Sequence, residues 1–175
     1  MTRTGKALDI PRTIIAGARD GSSHGDEGRQ MPITLDRVRE IFKGLESGDG
    51  AAFFDHVADD VDWTVMGTHP LAGHYQNKTA FIAGTFAKLG QVLPNGAQLR
   101  AEHLIVKDDQ AVVELHSFAT AKDGMRFDNR YCWVVNFQNG LIARVLAYLD
   151  SAMVSRLFQE NPIPDTESRN EKIEF

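Results

Sequence analysis

The sequence predicts an α+β domain in which helices cover one face of a curved antiparallel sheet. Two observations carry that expectation. Apolar residues recur every three or four positions in the early segments, whereas the later part consists of strand-length apolar segments separated by turn residues. Their order, helical patterns first and an uninterrupted set of strand patterns after, argues for segregated rather than alternating elements.

In "PITLDRVREIFKGLESGD", Pro32 and Thr34 are start signals, and Leu35, Val38, Ile41, Phe42 and Leu45 form one stripe of a helix ending at Gly48. "GAAFFDHVADD" reads as a short second helix with Phe53, Phe54 and Val57 on its apolar side, and "VDWTVMG" as a first strand. After the break "THPLAGHYQ", a third helix carries Phe81, Ile82, Thr85, Phe86 and Leu89 on one stripe. "AQLRAEHLIVK", "QAVVELHSFATA", "RFDNRYCWVVNFQ" and "LIARVLAYLD" then form a four-stranded meander, and "SAMVSRLF" a closing helix. The domain is expected to span residues 32–160. Residues 1–31, polar and aperiodic around "GARDGSSHGDEGRQ", read as a disordered extension, and residues 161–175 as a flexible tail.

Composition narrows the function classes. A chain of 175 residues, 42% apolar, suits one domain with a real core. A net charge of −5 without a Lys/Arg block argues against nucleic acid. Cys132 is alone, so no intrachain disulfide is possible, and its apolar strand suggests a small packed residue. No apolar run approaches the roughly 20 residues of a membrane span, and no signal-peptide pattern opens the chain, so a cytoplasmic location is expected. Six histidines occur without His-x-His or HExxH spacing, which argues against a metal site. Neither a GxGxxG nor a Walker loop is present, and no cofactor is expected.

The stretch "DNRYCWVVNFQNGLIARVLAYLD" is the most informative. Asn139-Gly140 is a strong two-residue hairpin signal that pairs Gln138 with Leu141. Without a bulge, Val135 faces Arg144, Trp133 faces Leu146, Tyr131 faces Tyr148 and Asn129 faces Asp150, all on one side of the sheet. Cys132, Val134, Val145, Ala147 and Leu149 then occupy the other side. This register gathers Asn129, Tyr131, Tyr148 and Asp150 into a polar patch backed by Trp133.

Together with "DHVADDVDWTVMGTHPLAGHYQNKTAF" and the element order, that stretch makes the chain resemble the SnoaL-like branch of the NTF2-like superfamily over about residues 33–158. The branch includes polyketide cyclases, ketosteroid isomerases and limonene epoxide hydrolases. The resemblance implies a cone, a curved sheet wrapped around about three helices with an internal apolar pocket. It also implies a small hydrophobic organic ligand and, as assembly, a homodimer. Asp150 looks like the hydrolases' strand-end aspartate that takes part in water activation. Those enzymes pair it with an Arg-x-Asp arrangement where this chain has "HSFAT".

The candidate catalytic residues are therefore Asp150, His69 and Tyr131. A partly desolvated carboxylate or imidazole can move a proton near neutral pH, and a tyrosine can steady an enolate. Asp150 has a second reading as the N-cap of the closing helix, and His69 one as a solvated loop residue. Asn129, Trp133, Tyr148, Trp63, His116 and Phe118 are the candidate substrate contacts. Of these, Trp63, Trp133 and Phe118 read equally as core, and His116 as a structurally satisfied mid-strand side chain. Three function classes stay open: a cofactor-independent isomerase, cyclase or hydrolase; a pocket that binds without turnover; and a module that dimerises through its sheet.

Overall fold

The computed structural model describes residues 32–48 and 50–164 of the chain. The expected N-terminal extension and all but the first four residues of the expected C-terminal tail lie outside the described residues.

Helix α1 (Leu35–Lys43) starts where Thr34 accepts the Arg37 N–H through its side chain, and it buries Val38, Ile41 and Phe42. The chain then turns, so α1 ends earlier than the apolar stripe suggested, although Leu45 is still buried. Helix α2 is a single turn (Ala51–Phe54), and Val57 opens strand β1 (Val57–Val65) instead of continuing the helix. The break "THPLAGHYQ" contains a short edge strand, β2 (Gly73–Tyr75).

The expected third helix is two, α3 (Lys78–Gly84) and α4 (Phe86–Val92), broken at Thr85 with φ −128° and ψ −79°. The Thr85 hydroxyl donates to the Phe81 carbonyl at 2.6 Å, a local bond that competes with the helical ladder.

Strands β3 (Leu99–Lys107), β4 (Gln110–Ser117), β7 (Arg130–Gln138) and β8 (Leu141–Leu149) form the expected meander, interrupted by a small hairpin of β5 (Ala119–Thr120) and β6 (Arg126–Phe127). The main sheet runs β2-β1-β8-β7-β4-β3, antiparallel except where β1 lies parallel to β8. Helix α5 (Ser151–Glu160) closes the domain. Its end is anchored: Asn161, expected to begin a loose tail, is buried, donates to the Leu157 carbonyl and accepts from the Asp123 N–H.

The register of the central hairpin departs from expectation by one residue. Asn139 and Gly140 both have positive φ, 53° and 77°, as a type I′ turn requires, and Gln138 pairs with Leu141. Phe137 then pairs with Ile142 but Asn136 pairs with Arg144, so Ala143 is an extra residue in β8. Beyond this bulge Trp133 opposes Ala147, Tyr131 opposes Leu149, and Cys132 opposes Tyr148. A one-residue insertion transfers the rest of a strand to the opposite face. Val145, Ala147 and Leu149 therefore join Trp133 inside, and Tyr148 moves outside. Further irregularities in β1 and β3 add to the curvature that lets the sheet wrap the helices.

Two apolar clusters fill the concave side. One joins α1 and α2 to the sheet through Phe42, Phe53, Trp63 and Trp133. The other joins α4, α5 and the small hairpin through Leu89, Phe127, Val154 and Leu157. Phe86 and Leu149 touch both.

Candidate functional site

Where the two clusters meet, they leave an internal cavity of about 40 Å³. Its walls come from both: Trp63 and Val65 of β1, Phe81 to Leu89 across the α3/α4 break, Tyr131 and Trp133 of β7, Ala147 and Leu149 of β8, Phe127 of β6 and Val154 of α5. Alternation explains the convergence, since inward residues two apart on β1 and β7 line one wall.

Among these apolar walls, Trp63 and Trp133 stand edge to face with ring centroids 5.1 Å apart, and Trp63 stacks on Phe81 at 3.8 Å. Both indole Nε1 atoms are buried and have no hydrogen-bond partner. An unsatisfied buried donor costs about 1–3 kcal/mol. Tyr131 lies edge-on to Trp133, and burial pushes its phenol well above the ordinary value, which keeps the hydroxyl protonated and able to donate. The cavity surface is almost wholly apolar, the indole N–H groups lie buried within the wall that forms it, and none of its described lining residues is a carboxylate or an imidazole.

The polar residues that the sequence singled out lie at the junction of β7, β8 and α5. Asn129, almost fully buried, donates through Nδ2 to the Asp150 carbonyl at 3.3 Å and accepts the Asp150 N–H through Oδ1 at 3.2 Å. Its side chain thus acts as one more rung of backbone pairing beyond the start of β7. Asp150 is exposed and caps α5: its Oδ1 accepts the N–H groups of Ala152 and Met153 at 2.9 and 3.2 Å.

His69 is buried at 4% exposure. Its Nδ1 accepts the Leu71 N–H at 3.2 Å, which leaves the proton on Nε2 to be donated to the Met66 carbonyl at 3.1 Å. Burial lowers its pKa below the usual histidine value, against a smaller raising effect from the Met66 bond. The ring is a neutral brace for the loop between β1 and β2.

Besides Asn129, three expected ligand contacts stand outside the cavity. Tyr148 projects from the outer face because of the Ala143 bulge. His116, in phase with Val112 and Glu114, lies on the same face and pairs with Glu102 at 3.4 Å. Phe118 is exposed beneath the Arg100 guanidinium, 5.0 Å from its ring centroid. Strand alternation places all three outside, and no sequence period distinguishes the inner from the outer face when both carry aromatic residues. Conversely, Thr85, Phe86, Leu89 and Phe127 line the cavity, although their sequence pattern read only as core or strand.

The sequence model described as the SnoaL-like domain matches residues 38–145. The dimerizing cyclase phiC of Fungal sp. (strain ATCC 74256) is 29% identical over 130 residues, covering 72% of this chain and 57% of that protein. The dimerizing cyclase tstC of Talaromyces stipitatus is 28% identical over 121 residues, covering 67% and 54%. The chain thus spans little more than half the length of these curated relatives. A solved NTF2-like protein from Burkholderia thailandensis E264 superposes with a TM-score of 0.61 at 22% identity, covering 71% of this chain and 95% of that one. Sheet order, cone geometry and sequence match agree: this chain belongs to the SnoaL-like domain family and has the NTF2-like fold.

Proposed function

We propose that this chain is a cofactor-independent enzyme of the cyclase type that closes a ring in a hydrophobic, polyketide-like molecule whose reacting end enters the internal cavity. The observation that carries the reading is the pair of unpartnered indole N–H groups, Trp63 and Trp133, set beside Tyr131 in an apolar enclosure. The reaction class comes from the names of the two relatives.

Ring closure by an activated carbon removes a proton between two carbonyls, places the negative charge on oxygen as an enolate, and forms a carbon–carbon bond to an acceptor carbonyl whose oxygen then takes up a proton. Donors fixed where that oxyanion develops act strongly when water is excluded. Trp63, Trp133 and Tyr131 take that role. Asp150 is the proposed proton acceptor, since both cap bonds use Oδ1 and leave Oδ2 for the proton. His69 is assigned to holding its loop, because both ring nitrogens are engaged.

The test uses benzoylacetone, a hydrophobic β-diketone, and follows exchange of its central protons for deuterium by NMR. The protein is expected to accelerate exchange. Trp63→Phe or Trp133→Phe should lower the acceleration by about a hundredfold, the loss of one oxyanion donor, and Asp150→Asn by about two to four orders of magnitude. Binding seen as tryptophan quenching without any acceleration would favour a carrier pocket over an enzyme.

The proposal includes a homodimer formed through the outer face. Paired positions Ile105, Val112, Val134 and Leu146 make a continuous apolar row across four strands, and Ile105 is 69% exposed. Such a row on a solvent face marks an interaction surface. Sedimentation should give a dimer at micromolar concentration and a monomer for Ile105→Asp; a monomeric parent protein removes this part of the proposal.

A further inference from the structure

The cavity is too small for the substrate class just proposed. About 40 Å³ has room for about three waters, whereas pockets for organic ligands run to about 300 Å³ or more. On the far side of α4 lies an open surface groove of about 490 Å³, floored by Ser47, Gly48, Pro94, Asn95 and Gly96 and walled by Ile82, Phe86 and Gly90. Phe86 is the residue common to the groove and the cavity.

We propose that this groove is the outer binding subsite and Phe86 the door between it and the cavity, so that a substrate enters across α4 rather than past α5. The inference rests on the reading that the cavity receives the substrate.

The position of Phe86 suits a moving side chain. It is the first residue of α4, directly after the non-helical Thr85, where the helix axis is already interrupted. It is only partly buried and is held by apolar packing, edge-on to Phe54 at 5.0 Å and tilted on Phe81 at 6.0 Å. No hydrogen bond must break for the ring to turn. One helical turn further on, Gly90 leaves open space, since a Cβ placed there would meet nothing within 4 Å. A ring swung away from Phe54 joins groove to cavity, and a side chain at position 90, pointing back toward the helix N-terminus, lies in its path. The opposite wall offers no such feature: Val154 of α5 is almost fully buried, and its helix is capped by Asp150.

The experiment uses the two tryptophans of the chain, which both line the cavity, as built-in reporters, and acrylamide as a small neutral quencher. Phe86→Ala should raise the bimolecular quenching constant several-fold, while Val154→Ala, a smaller truncation at the α5 wall, should leave it near the parent value. Because Phe86→Ala also removes core contacts, Gly90→Phe supplies an independent arm. It adds bulk on the groove side where there is space, should fold normally, and should slow quenching. Faster quenching in Val154→Ala than in Phe86→Ala, equal rises in both, or no response to either Phe86→Ala or Gly90→Phe would each overturn the door. Quenching does not depend on turnover, so a parent protein that fails to exchange benzoylacetone protons while Phe86→Ala and Gly90→Phe behave as expected retains the door and loses only the cyclase reading.

Discussion

The cavity and the α5 junction adjoin at the same end of strands β7 and β8, yet they treat polar atoms in opposite ways. At the junction the conspicuous polar side chains serve the fold: Asn129 closes two bonds with the Asp150 backbone, Asp150 caps α5 through Oδ1, and His69 bonds through both nitrogens. In the cavity, residues that look like ordinary core leave two indole N–H groups unpaired. Polar identity therefore does not mark where hydrogen-bonding capacity is left unmet. A satisfied buried polar group stabilises, whereas an unsatisfied one is destabilising until a ligand completes it.

The junction is where stability should respond most. Asn129→Ala removes two hydrogen bonds, while the Asp150 N–H keeps the Arg130 carbonyl and the Asp150 carbonyl keeps the Val154 N–H; it should destabilise by about 1–2 kcal/mol, measured by denaturant unfolding, with little change in acrylamide quenching. Asp150→Ala should cost about 1 kcal/mol, while Asp150→Asn, which also caps, should stay within a few tenths. If Asn129→Ala were as stable as the parent, the junction would not be the structural half of the contrast.

A smaller effect sharpens the same contrast through pH. The pKa of His69 is lowered from 6.5 by burial, so the fold favours the neutral ring and the unfolded chain binds the proton more readily. Its contribution is fully present above about pH 6.5 and is lost as pH falls toward the lowered folded value. The melting temperature of the parent should therefore decline on acidification through this window more steeply than that of His69→Gln. Parallel profiles for the two proteins would show that the ring is not held neutral by its two bonds.

Much of the fold was legible along the chain because it rests on local patterns. The stripe of α1, the turn residues at Asn139-Gly140, the meander and the α5 cap signal at Asp150 each follow from short-range sequence, and the resemblance to the SnoaL-like branch extended them to a cone. The two helix revisions are invisible to periodicity, one local in origin and the other set by a distant strand. Thr85 fits the apolar stripe of one long helix, yet its hydroxyl bonds back to Phe81 and breaks it. Val57 fits the apolar side of α2, yet pairing with Ile142 draws it into β1.

What the sequence determined by itself was the main helices and the four-stranded meander, and the residue types available to a site: two tryptophans, a tyrosine and the carboxylates at strand ends. Which of them share an enclosure was decided by the tertiary structure. A single extra residue, Ala143, sends Tyr148 outward and turns Ala147 and Leu149 inward, and no local preference announces it. The cavity itself exists only between two clusters contributed by elements far apart in the chain. A void and an unpaired donor are properties of what fails to meet in space, and a one-dimensional pattern records only what each residue is able to do.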